Sequence, residues 1–137
     1  MLTIDEIYDL FCWNSSYSDE EYCARVEKGI AEARKLRSIY PFIQPFVPGR
    51  SKSIWGPCAK VIALKSDEEL VDYMHLLLEW LQDMNWPGAE IIFDRLFRIP
   101  FTKIQQDVEF CIFRAMQDND DIWLNSLKAL KEHRQWY

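Results

Sequence analysis

Between Ser66 and Ile99 the apolar positions recur with the period of a helix, and the rest of the chain is arranged about that stretch. Leu70, Met74, Leu77 and Leu81 share one side, with Val71 and Leu78 beside them and Tyr73 and Trp80 on the other flank. At about 100° per residue these cover well over half the circumference, which predicts a helix over 66–83 buried on several sides. Ser66 and Glu69 have the spacing of a capping box at its start. Glu68, Asp72, His75, Glu79 and Asp83 make up the narrow polar strip that remains. Pro87 presets the first turn of a second helix, with Asn85 or Trp86 as its cap, and Ile99-Pro100 stops it. Gly88 and Ala89 let that helix approach a neighbour closely, and Ile91, Ile92, Phe93, Leu96 and Phe97 give it an apolar face. The result is a helical hairpin that cannot bury its apolar surface alone.

The flanking segments read the same way. Thr3 and Glu6 box the start of a short helix carrying Ile4, Ile7, Tyr8 and Phe11. After the loop Asn14-Ser15-Ser16, Ser18 and Glu21 open a long helix with Tyr22, Val26, Ile30, Ala33 and Arg37 on one side. Arg34, Lys35 and Arg37 then suit the negative end of its dipole. Residues 40–56 break the pattern: Pro41, Pro45 and Pro48 predict an extended, polyproline-like connector anchored by Phe42, Ile43, Phe46 and Val47, or else a recognition loop. A helix from Pro57 to Leu64 follows. Thr102 and Gln105 offer a fourth capping box, ahead of Ile104, Val108, Cys111 or Ile112, Ala115 and Met116. Asp120 or Asp121 caps a last helix through Ile122, Trp123, Leu124, Leu127 and Leu130. A shift of 35 residues lays Leu77, Leu81, Gln82, Asp83 and Ile92 over Ile112, Met116, Gln117, Asp118 and Leu127. The expected architecture is one all-α domain over 1–137: an N-terminal helical pair (1–39), a connector (40–56) and a short HEAT-like α-solenoid of antiparallel helical hairpins (57–137).

The run Trp80-Leu81-Gln82-Asp83-Met84-Asn85-Trp86-Pro87-Gly88-Ala89 resembles the W-L-Q-D-x-N-W-P signature of a bacterial domain family of unknown function, whose members are small, all-helical and HEAT-like. The resemblance covers roughly residues 55–99, with a looser fit toward the C-terminus. It implies a helical fold and carries over no catalytic residue. By analogy at the level of the fold, small helical proteins of this kind resemble the immunity proteins encoded beside bacterial toxins.

Composition narrows the function. A chain of 137 residues with 49% hydrophobic residues, 15% aromatics and six tryptophans has the material for one real core. No apolar run reaches the length of a membrane span, and the acidic start MLTIDEIYDLF is unlike a signal peptide, which predicts a cytoplasmic protein without membrane contact. Cys12, Cys23, Cys58 and Cys111 lack C-x-x-C spacing and are expected as buried, reduced thiols. The net charge of −6 argues against nucleic acid as a partner, despite the short basic group Arg34, Lys35, Arg37, Arg50 and Lys52. Charge alternates in blocks: residues 1–24 hold acids and no base, 25–65 are mostly basic, and 66–94 hold acids and no base. Such blocks either attract one another within the fold or leave an acidic face for a basic partner.

Catalytic signatures are missing: there is no phosphate loop, G-x-S-x-G, H-E-x-x-H or glycine-rich dinucleotide turn. Asp72, His75 and Glu79 share a helical face that a metal-dependent hydrolase would use, but no matching motif faces them, so no metal or cofactor is expected. Of the tryptophans, Trp80 and Trp86 read as packing in the joint, while Trp55, Trp136 and Tyr137 are less constrained. The expectation is a non-catalytic protein-binding protein: an immunity protein that occludes the active face of a basic, nuclease-type toxin through Glu68, Asp72, His75, Glu79 and Asp83. The alternative is an adaptor using a helical-repeat surface, and the hydrolase is a distant third.

Overall fold

Eight α-helices joined by short 3-10 turns make up the computed structural model, which describes residues 1–45 and 50–132; no strand occurs among these residues. The all-α expectation is met. Among the described residues no helix is long and apolar enough to cross a membrane. Phe46, Val47, Pro48, His133, Trp136 and Tyr137 lie outside the described residues.

Helix α1 (Ile4–Phe11) has the full capping box: Thr3 Oγ1 accepts from Glu6 N at 3.1 Å, and Glu6 Oε1 accepts from Thr3 N at 3.1 Å. Helix α2 (Asp19–Ala33) starts at Ser18, whose Oγ accepts from Glu21 N at 3.1 Å. α2 stops at Ala33, earlier than its sequence predicts, so Arg34, Lys35 and Arg37 lie beyond its last turn. Tighter bonds from Lys35 N to Glu32 O and from Leu36 N to Ala33 O draw the chain out of the helix there. Lys35 Nζ bonds Glu32 Oε1 at 3.1 Å and holds that carboxyl below the usual range.

The described part of the connector is not polyproline-like. Tyr40–Phe42 and Lys52–Ile54 are 3-10 turns, because Ile39, Phe42, Ile43 and Ile54 are all drawn into the core, which an extended strap would leave alternately outside. Tyr8 ties the first turn down by donating its hydroxyl to Pro41 O, and burial pushes that phenol up to about 12. Helix α3 (Trp55–Ala63) begins two residues before Pro57, which sits in its first turn.

The helix expected over 66–83 is three pieces: α4 (Asp67–Val71), α5 (Met74–Glu79) and a 3-10 turn at Trp80–Gln82. The break falls at Tyr73, with φ −117° and ψ 20°, where the ring leans on Tyr40 at 6.3 Å between centroids. Helix α6 (Ala89–Phe97) starts from Gly88, not from Asn85 or Trp86. Helix α7 (Gln105–Gln117) has Ile104 at its N-cap without a side-chain bond. Thr102 is taken up in a 3-10 turn, Phe101–Lys103, so the Thr102–Gln105 capping box does not form. Helix α8 (Asp121–Glu132) is capped by Asp120, whose Oδ1 accepts from Trp123 N at 3.0 Å.

In packing order, α1 lies on α2, α2 on α3, α3 on α6, α6 on α8, α8 on α7 and α7 on α5. One apolar core runs from Ile7 to Leu130 through these contacts. The 35-residue shift carries α5 into α7 and α6 into α8. The equivalence fails at the outer side: Leu81 is buried, while its counterpart Met116 is 60% exposed. α5 is covered by α7, whereas the far side of α7 meets solvent.

The thiols divide in two. Cys58 and Cys111 are buried, and burial pushes them up to about 12 and about 11; Cys12 is half-buried. Cys23 is exposed on α2, contrary to expectation, because that face of the helix is mainly polar. Iodoacetamide at mildly alkaline pH should therefore label Cys23 readily, and Cys58 and Cys111 only after denaturant is added. Mass mapping of the labelled peptides decides it, and equal labelling of Cys58 and Cys23 in the folded protein would overturn the assignment.

Candidate functional site

The charge blocks partly neutralise one another inside the fold. Arg50 reaches back to α1, with 2.9 Å bonds to Asp5 and to Asp9. Arg95 of α6 bonds Asp67 Oδ1 and Lys65 O, both at 2.7 Å, clamping the start of α4. The acidic strip of α4 and α5 is divided in the same way. Glu79 Oε1 accepts from Arg114 Nη1 of α7 at 3.0 Å, and the carboxylate side chain is only 18% exposed. Arg114 also lies over the Trp123 ring, 5.2 Å from its centroid. His75 Nε2 pairs with Asp107 Oδ1 at 2.9 Å, and its ring stands edge-on to Phe110 at 5.4 Å. Asp83 Oδ1 accepts from Asn85 N at 2.8 Å and shapes the turn before α6.

Three of the five strip residues, Glu68, Asp72 and His75, are exposed, with Glu69 beside the first, and of the three His75 is turned to Asp107. Glu68 shares a depression of about 340 Å³ with Val71 and Lys103. Asp72, His75 and Glu79 are not assembled as ligands, since His75 turns to Asp107 and Glu79 to Arg114. Among the described residues no group of three His, Cys, Asp or Glu side chains could hold a metal ion.

The side chains that sequence reasoning missed are on α7. Phe110, Phe113 and Met116 are 52%, 58% and 60% exposed, and Ile122 at the start of α8 is 65% exposed. Steps of three residues turn each about 60° from the last, so the three form one ridge on the side opposite Ile104, Val108, Cys111 and Ala115. Met116 belongs to the apolar series that the sequence traces along this helix, yet it faces outward. The available signal was that α7 carries phenylalanines outside its i, i+3, i+4 stripe, which a purely core-facing helix does not. His75 joins the ridge to the α4–α5 acids at its Phe110 end.

The motif residues form the joint instead. Trp80 is fully buried, stands edge-on to Trp55 at 6.3 Å, and donates Nε1–H to Pro87 O at 3.1 Å. Trp86 stands edge-on to Trp55 at 5.5 Å, half-buried, and its carbonyl receives Ala89 N at 3.1 Å.

The sequence profile of a family described as a domain of unknown function (DUF5071) matches residues 58–135, more than half of the chain. The match begins in α3 and runs past the end of α8, leaving α1, α2 and the connector outside it. No curated protein and no solved structure matches the chain.

Proposed function

The chain belongs to the DUF5071 family, and we propose that it is a protein-binding protein with no chemistry of its own, acting as an immunity protein that covers the active face of a basic toxin. One observation carries the reading: α7 presents an exposed apolar ridge, and the His75 ring against Phe110 joins it to the stretch that bears the exposed carboxylates Glu68 and Asp72. An apolar centre with a charged border is the composition of a recognition surface. Apolar side chains that leave water supply affinity, and the border supplies steering and discrimination. The net charge of −6 favours a basic partner, as does the exposed acid at the start of α4. Small size and the lack of catalytic signatures agree with action by occlusion.

Co-expression with the product of the adjacent gene, followed by calorimetry, tests this. The expected result is a tight one-to-one complex and relief of any growth defect that the neighbour causes. The double variant Glu68→Lys/Asp72→Lys should then bind roughly tenfold more weakly at low salt, with a shallower dependence on salt. Both side chains are exposed, so its stability should stay within about 0.5 kcal/mol of the parent. Glu79→Lys is no substitute, because it would break the bond to Arg114 and disturb the α5–α7 contact. Unchanged affinity in the double variant would remove the acidic border from the interface.

A further inference from the structure

Resting on the protein-binding reading, we infer that the outer face of α7 is the docking surface and that its occupant is an amphipathic, basic helix of the partner. The surface is a ridge: Phe110, Phe113 and Met116 advance along one helix over about 9 Å, and Ile122 extends it across the turn into α8. A row of side chains at three-residue intervals fits the groove between the rows of another helix. Strand addition is not open to it, because no strand edge occurs among the described residues.

Charge gives the occupant its sign. At the Phe110 end stand Asp107, paired with His75, and Glu109, paired with Lys131, while the exposed Asp72 precedes His75 by three residues. At the other end Asp118 follows Met116 by two residues, and Asp121 adjoins Ile122; both are exposed. Between them, Arg114 is occupied by Glu79. The apolar ridge is thus bordered by acid at both ends. A second copy would bring like charge to like charge, whereas Lys and Arg flanking the apolar face of a helix would meet these carboxylates.

The probe is a synthetic peptide of about 18 residues, five turns, with leucine on one helical face and lysine elsewhere. Its control has the same composition with the leucines scattered around the helix. Each is titrated into the full chain and followed by amide resonances. Binding should shift resonances along 106–122 and 72–75, and the control should bind at least tenfold more weakly. Phe110→Ser/Phe113→Ser should weaken the amphipathic peptide at least tenfold with an unchanged circular dichroism spectrum, since both rings are more than half exposed; Met116→Ser should do so less. Equal binding of the control, or no loss in the double serine variant, would overturn the inference. So would a native dimer that the serine variant turns into a monomer, which would make the occupant a second copy. In the complex with the neighbouring gene product, loss on charge reversal without loss on serine substitution would sink the α7 ridge and leave the protein-binding reading standing. Indifference to both would sink both.

Discussion

Trp80→Ala is expected to lower the stability of the protein by about 4 kcal/mol, the largest effect of any single truncation in the joint. The indole is fully buried where the turn after α5 meets α3 and α6, edge-on to Trp55 at 6.3 Å. Truncation removes its apolar burial, leaves a cavity that the surrounding helices fill only in part, and deprives Pro87 O of its donor at 3.1 Å. A domain of this size is stable by about 5–15 kcal/mol, so the loss takes much of the whole. Urea unfolding followed by circular dichroism measures it, as a lower midpoint with an unchanged slope. Trp80→Phe separates the parts. It keeps an aromatic ring against Trp55, gives up the N–H and some volume, and should lose about 1–2 kcal/mol. A loss below about 1 kcal/mol for Trp80→Ala would mean that the Trp55–Trp80–Trp86 cluster is not where this fold is held.

What the sequence makes legible here is what chain neighbours decide. Thr3, Ser18, Ser66 and Asp120 each cap a backbone N–H three residues on, so spacing alone finds them. The boundaries that were misplaced depend on groups far along the chain. α2 ends where Lys65 Nζ donates to Arg34 O and Leu36 O, and the helix after Ser66 breaks at Tyr73, where the Tyr40 ring comes to bear. α6 starts at Gly88 because of what lies opposite it in α3. The acidic strip is legible as one face, since period fixes angle. Its division is not, because Arg114 lies 35 residues from Glu79. Periodicity also treats every apolar residue as a vote for burial. In α7 it therefore found the inner stripe and passed over Phe110 and Phe113, whose apolar character says nothing about which side another helix will cover.

Gly88→Ala should cost about 3 kcal/mol, through two causes that can be told apart. The residue has φ +83°, a left-handed conformation that costs an alanine about 1 kcal/mol or somewhat more. An added Cβ would also stand 2.7 Å from Ala59 Cβ, 2.9 Å from Trp55 O and 3.0 Å from Trp80 Cζ2. None of these yields easily: a methyl on a packed helix, a backbone carbonyl, and a ring held by its own hydrogen bond. Overpacking of this kind costs about 1–3 kcal/mol. Gly88→Asn tests the first cause, since asparagine tolerates the left-handed region better than alanine does. If conformation dominated, asparagine would be the milder change; the contacts say that it is the worse one. Ala59→Gly tests the second. Alone it weakens α3 by about 1 kcal/mol, but beside Gly88→Ala it removes the 2.7 Å contact. The double variant should therefore be more stable than the sum of the two losses by about 1 kcal/mol, measured as a coupling energy from four urea curves. Strict additivity would place the strain against Trp55 O and Trp80 instead, and a milder Gly88→Asn would place it in the backbone.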